Sequence, residues 1–230
     1  MTQRLEEKYI WTLPVRVYHW INALSMTVLF ITGLYIAAPV LSPAVGEAVW
    51  YHQMAWFRYI HFGTAFIFIA NLLFRLYWAL FGNDQYGRFT GFRPWSLDWW
   101  LQPFKKQLEY YVLLKNEGPH YWGHNPVAAL THLLFILCGS FFMILTGLAM
   151  YGENNPGGFT DTFFGWVVLI FGSSNTMHTM HHLVSWIFPV YLVIHLYAVI
   201  RHDMIERSGV TSSIISGFKH KPEESPKYAD

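Results

Sequence analysis

Twelve histidines and one cysteine stand in this chain of 230 residues, and that ratio limits the chemistry on offer. Imidazole can ligate a metal, carry a proton, or donate and accept a hydrogen bond. A single thiol, Cys138, makes no internal disulfide and holds neither an iron–sulfur cluster nor a structural zinc. Its place within an apolar run reads as that of a small core residue. Metal or redox chemistry here must rest on histidine. His19, His61, His178, His181, His182 and His195 lie in or at the edge of long apolar segments. His181 and His195 are 14 residues apart. At about 1.5 Å and 100° per residue they stand roughly 21 Å apart on nearly the same helix face. His182 points elsewhere, and His178 lies about 100° from the His195 direction. Pro189, between them, can alter this register, so the three histidines remain in competition, with His181 favoured by spacing.

These side chains need rigid elements to hold them, and composition says of what kind. The chain is 53% apolar and 13% charged, where an average soluble domain carries about 25% charged residues. A helix needs about 20 apolar residues to cross a bilayer, and four runs qualify: 17–37, 59–81, 127–151 and 180–200. The second is interrupted by Asn71 and Arg75. The fourth contains Pro189, which predicts a kink. The first run is about twice the length of a signal-peptide apolar core, and its opening His19 and Trp20 do not suit one. Two shorter stretches, 97–115 and 159–171, are expected as an interfacial helix and a short surface or re-entrant helix, with packed loops as the alternative. The expected fold is thus all-α, an integral membrane four-helix bundle. Residues 1–220 form its single transmembrane domain and 221–230 a polar tail. The ends, 1–13 and 221–230, are expected to be mobile. No internal repeat is visible.

Lysine and arginine set the orientation. The segments 38–57 and 152–179 contain neither, except for Arg58 just beyond the first of them. The N-terminal arm carries Arg4, Lys8 and Arg16. The central loop carries Arg88, Arg93, Lys105, Lys106 and Lys115, and the tail Arg201, Arg207, Lys219, Lys221 and Lys227. Both termini and the central loop are therefore expected in the cytoplasm. That polarity puts His19 and His195 at one inner level and His61 and His181 at one outer level. Bis-imidazole ligation at two depths is the requirement for two b haems in one bundle. Each ligand then needs an acceptor for its other nitrogen, which the sequence does not identify.

Other residues fit the same frame. Gly33 is 14 residues beyond His19, where a porphyrin edge can approach the backbone. Arg75 is 14 residues beyond His61, at the inner level. It is expected to pair with a haem propionate or to snorkel to the interface. Gly139 and Gly147 suit close approach of a haem or of another helix. His178 and His182 can serve haem propionates or a partner interface. His132 has no opposite number and reads as a buried hydrogen bonder. His52, His120, His202 and His220 read as solvated loop residues.

The motifs PVRVYHWINALSM, RYIHF, LYWALFGN, GHNPVA, MHTMHHLVSW and VIHLYAVIRHDM, in that order, resemble the cytochrome b subunit of membrane-bound nickel–iron uptake hydrogenases. The resemblance spans most of the chain. It implies an anchor in the inner membrane for a periplasm-facing hydrogenase, made of an iron–sulfur small subunit and a nickel–iron large subunit. Electrons would pass from the small subunit to the outer haem, then to the inner haem, then to menaquinone or ubiquinone. The family's ligands correspond to His19, His61, His181 and His195. The related formate dehydrogenase membrane subunit implies a quinone site at Asn125, with His124 beside it. Asn125 also reads as a helix cap ahead of Pro126. A cytoplasmic proton supply to quinone is expected through His124, His202 or Asp203. The complex can form a higher-order dimer.

Two rivals define the contrast. The same fold can serve a formate dehydrogenase or a thiosulfate or polysulfide reductase. A histidine-lined metal transporter belongs to another class, since zinc also favours imidazole, but such a path calls for acidic groups in mid-membrane and the four runs hold none. The basic face that a nucleic-acid binder needs is missing.

Overall fold

The computed structural model describes residues 5–39, 53–87, 96–115, 118–119, 121–206 and 208–222. Four helices in it are long and apolar enough to cross a membrane: Leu13–Ala37, Gln53–Phe81, Pro126–Gly152 and Ser174–Glu206. Their ends follow local chemistry. Pro14 sits in the first turn of the first helix, where its missing N–H costs nothing. Asn125 caps the third, its side chain accepting from Ala128 N at 2.8 Å, with Pro126 next in line. Ser173 caps the fourth by accepting from Thr176 N at 3.1 Å, just after Gly172 ends the preceding short helix at φ 73°.

Two of the long helices are irregular. The third has a π-helical stretch at His132–Cys138, a form that concentrates at functional sites. The fourth breaks at Trp186, whose N–H reaches back only three residues to Leu183 O at 3.2 Å. Pro189 lies three residues on and withholds the N–H that Ser185 O would receive. The stretch 97–111 is helical, in pieces Leu97–Trp99, Trp100–Phe104 and Lys105–Tyr111, with Pro103 in the π-helical middle piece. The stretch expected as one short helix forms two, Phe159–Phe164 and Trp166–Phe171.

The chain divides into two compact units, and each long helix gives one end to each. The first unit takes 1–20, 73–134 and 191–230. Its apolar centre is Ile10, Trp11, Val15 and Trp122, with Trp78, Tyr86 and Ile214 against them. Strand β1, Leu5–Tyr9, pairs antiparallel with β2, Phe218–Pro222. Residues 5–9 of the first arm are therefore tied into a ladder, where its polar composition suggests a mobile stretch. Gly217, at φ 92°, makes this possible: its carbonyl accepts from both Ile10 N and Trp11 N, at 2.8 and 3.1 Å. A Cβ there would strike the Tyr9 ring and the Trp11 carbonyl. Asp84 ties the turn after the second helix, accepting from Thr12 Oγ1 at 2.6 Å and from Gly87 N at 2.8 Å.

The second unit takes 21–72 and 135–190. Its centre is Ala149, Val167 and Met177, with Met150, Phe164, Val168 and Phe171 packed on them. The two short helices lie against the third long helix so closely that a Cβ on Gly152 would stand 2.7 Å from Asp161 N. Many other apolar side chains of the long helices, Leu24, Leu73 and Val193 among them, face outward. Cys138 is exposed, not the core residue its apolar neighbours suggest, because a lipid-facing surface rewards apolar residues as well as a core does. His52, His120, Arg88, Arg93 and the tail beyond 222 lie outside the described residues.

Candidate metal centres

In the second unit, His61 and His181 are each held by a threonine from another helix. Thr32 Oγ1 is 2.8 Å from His61 Nδ1, and Thr146 Oγ1 is 2.7 Å from His181 Nδ1. Each threonine has one hydroxyl proton, and each gives it to its own helix: Thr32 to Val28 O at 2.7 Å, Thr146 to Phe142 O at 2.8 Å. The threonine oxygen is left as an acceptor, so Nδ1 of each histidine must donate. The Leu29 carbonyl also faces His61 Nδ1. Both rings are thereby held with the lone pair on Nε2, the form that ligates a metal.

A glycine follows each threonine. Ideal Cβ atoms on Gly33 and Gly147 would stand 3.4 Å from Cε1 of His61 and of His181 respectively. Space is thus kept beside the carbon next to Nε2 in both cases. Gly147 serves a histidine here, beyond the plain helix packing open to it from sequence. Of the three competing histidines, His181 is the one whose ring meets a threonine among the described residues. His178 instead lies 3.6 Å from the Glu153 carboxylate.

In the first unit, the ring centroids of His19 and His195 are 6.4 Å apart. Two imidazoles this close would be able to hold one metal ion between them. Nδ1 of His19 is buried with no hydrogen-bond partner among the described residues. His195 stacks on Tyr191 at 5.7 Å and 15°. His132 stands 6.2 Å from His195, but both its nitrogens are engaged: Nδ1 with Ala128 O at 2.5 Å and Nε2 with Tyr191 OH at 3.3 Å. It is a buried hydrogen bonder, as its sequence context suggests.

Beyond His132 the ladder of rings continues to His124, at 5.0 Å, and from there to Trp11, at 4.8 Å. The His124 side chain is solvent-accessible and stands between the Trp11 and His132 rings. Burial, and then the charges that His132 and Arg75 can carry, hold its ring well below the ordinary imidazole range. It is neutral at physiological pH. Asn125 is committed at both ends of its amide, to Ala128 N and, through Nδ2, to Tyr111 OH at 2.7 Å. Arg75 donates to Gly87 O at 2.6 Å and sits 5.8 Å from the Tyr18 ring.

His202 departs from its sequence reading. It is buried, not solvated, with Nδ1 3.2 Å from Glu206 Oε1, because the fourth helix runs on to Glu206 and carries it inward. Tyr110 lies beside it, its hydroxyl pushed up to about 12 by burial and then by Glu206. Arg201 covers the Tyr110 ring at 4.3 Å.

Sequence reasoning missed Thr32, Thr146 and Tyr191. A signal for the threonines exists: Thr32-Gly33-Leu34 and Thr146-Gly147-Leu148 are the same tripeptide in the first and third long helices. The donor set suits haem. Among the described residues no three His, Cys, Asp or Glu side chains group to hold a metal, whereas zinc takes three or four protein ligands. Paired imidazoles match an iron whose other four ligands come from a macrocycle.

Comparison with known proteins agrees in kind. The family model described as "Prokaryotic cytochrome b561" matches residues 10–217. A Cupriavidus necator protein named "Probable Ni/Fe-hydrogenase B-type cytochrome subunit" is 38% identical over 94% of this chain and 88% of its own length. A Rhodobacter capsulatus protein of the same name is 37% identical over 94% of this chain and 83% of its own. The Escherichia coli "Probable Ni/Fe-hydrogenase 1 B-type cytochrome subunit" is 34% identical over 93% of this chain and 91% of its own.

Proposed function

Because this chain belongs to the prokaryotic cytochrome b561 family, we propose that it is the b-type cytochrome membrane subunit of a nickel–iron hydrogenase, carrying electrons through two haems to quinone. A b haem, when bound, supplies a one-electron couple. His61 and His181 would hold one, and His19 and His195 the other. The reading rests above all on the imidazole pair His19 and His195, whose ring centroids lie 6.4 Å apart. The names of the relatives support the hydrogenase association.

Orientation follows from the lysine and arginine bias: both termini in the cytoplasm, in the cytoplasmic membrane, with His61 and His181 toward the periplasm. The iron–sulfur small subunit and nickel–iron large subunit then dock on the periplasmic side, and the acceptor, menaquinone or ubiquinone, binds near the inner pair. His124 stands next to His132, which in turn stands beside His195, and a neutral imidazole there can hydrogen-bond a quinone carbonyl. Asn125 anchors the start of the third helix beside it and holds Tyr111 in place. Arg75, which donates to Gly87 O, is the guanidinium we assign to a haem propionate. Buried His202 and Glu206 offer proton-carrying groups on the cytoplasmic side.

A pyridine haemochrome assay on the purified protein tests the reading. Two b haems per chain are expected; none would remove the function, and one would remove a ligand pair. Co-purification with a nickel–iron hydrogenase, as against a formate dehydrogenase or a sulfur-compound reductase, tests the partner.

A further inference from the structure

The two histidine pairs are not supported alike. His61 and His181 both give Nδ1–H to a threonine oxygen whose own proton is spent on a helix carbonyl. His19 Nδ1 is buried with no acceptor among the described residues.

We propose that Thr32 and Thr146 are positioning residues that fix the tautomer and raise the basicity of His61 and His181, holding the outer haem at the lower potential of the two. The inference rests on the reading that these histidines hold a haem. An imidazole that donates Nδ1–H to an acceptor puts more electron density on Nε2. A richer ligand stabilises the oxidised iron and lowers its potential. The inner pair lacks that acceptor at His19, which leaves its potential the higher of the two. The arrangement makes transfer from outer to inner downhill, the direction that quinone reduction on the cytoplasmic side requires. The repeated Thr-Gly-Leu tripeptide is the unit of this device: threonine holds the ring, and glycine clears the space beside Cε1.

The experiment is a potentiometric titration of the purified full-length protein, followed in the haem α-band, for wild type, Thr32→Val, Thr146→Val and the matching Thr→Ser variants. Valine keeps the shape and removes the hydroxyl; serine keeps the hydroxyl. The lower of two midpoints is expected to rise in each valine variant while the upper stays fixed, with serine restoring the wild-type value. An unmoved lower midpoint, or movement of the upper one alone, overturns the proposal. If valine abolishes the lower-potential haem and serine retains it, the hydroxyl role stands. If both abolish it, the residues act by packing and the proposal fails. A wild-type protein without haem would instead refute the functional reading itself.

Discussion

Replacing Gly147 by valine should empty one haem site and leave the other. An ideal Cβ at Gly147 lies 3.4 Å from His181 Cε1, at the short edge of the 3.5–4.0 Å range where carbon pairs attract, so alanine only touches the ring. Valine's γ carbons reach about 1.5 Å further, and its stiff helical χ1 leaves little freedom to turn both away. The ring must then yield on the order of 1 Å, which breaks the 2.7 Å contact with Thr146. Overpacking of this kind costs about 1–3 kcal/mol, and the lost hydrogen bond about 1 kcal/mol more. The sum, roughly 2–4 kcal/mol, is a loss of about 30- to 1000-fold in haem affinity at tenfold per 1.4 kcal/mol. Haem stoichiometry by pyridine haemochrome should fall from two to one in Gly147→Val and stay at two in Gly147→Ala. Valine and alanine behaving alike, at either stoichiometry, would refute the steric reasoning.

Further outcomes follow from the same geometry. Asn125→Ala should keep both haems and slow quinone reduction, while losing about 0.5–2 kcal/mol of cap stability; full quinone reduction with both haems in place would count against the site. His124 is held neutral in the folded chain, so below about pH 6.5 the unfolded chain binds more protons and stability falls with pH. The acid-side loss of stability measured in detergent should therefore be shallower for His124→Gln than for wild type. Gly217→Ala forces a side chain into φ 92° against Tyr9 and Trp11. It should cost more than about 1 kcal/mol and make the N-terminal arm cleavable in limited proteolysis, with haem content unchanged.

Length and apolarity alone disclosed the four long helices, because a membrane span is the strongest pattern a chain can carry. The pairing of histidines by depth followed from charge bias and spacing, and the structure groups His19 with His195 and His61 with His181 in its two units. What escaped was contact between helices. Thr32 looks like any hydroxyl in an apolar run until His61 is brought against it, 29 residues away in sequence. His202 looked solvated because it follows the last apolar stretch; the fourth helix runs on past it and Tyr110 lies against it, which nothing in its local sequence announces. The strand Leu5–Tyr9 was hidden for the same reason, since its partner lies at the other end of the chain.

That pairing bears on how the protein is made. Two hydrogen-bonded strands cannot be separated by a bilayer, so β1 can meet β2 only if an even number of crossings lies between them. A chain that skips one insertion, or threads its last helix backwards, leaves Leu5–Tyr9 without a partner. Leu5–Tyr9 precedes the four long helices and finds its partner only after them. Closing the little sheet is thus a parity check on membrane insertion, passed only once Phe218–Pro222 has been synthesised.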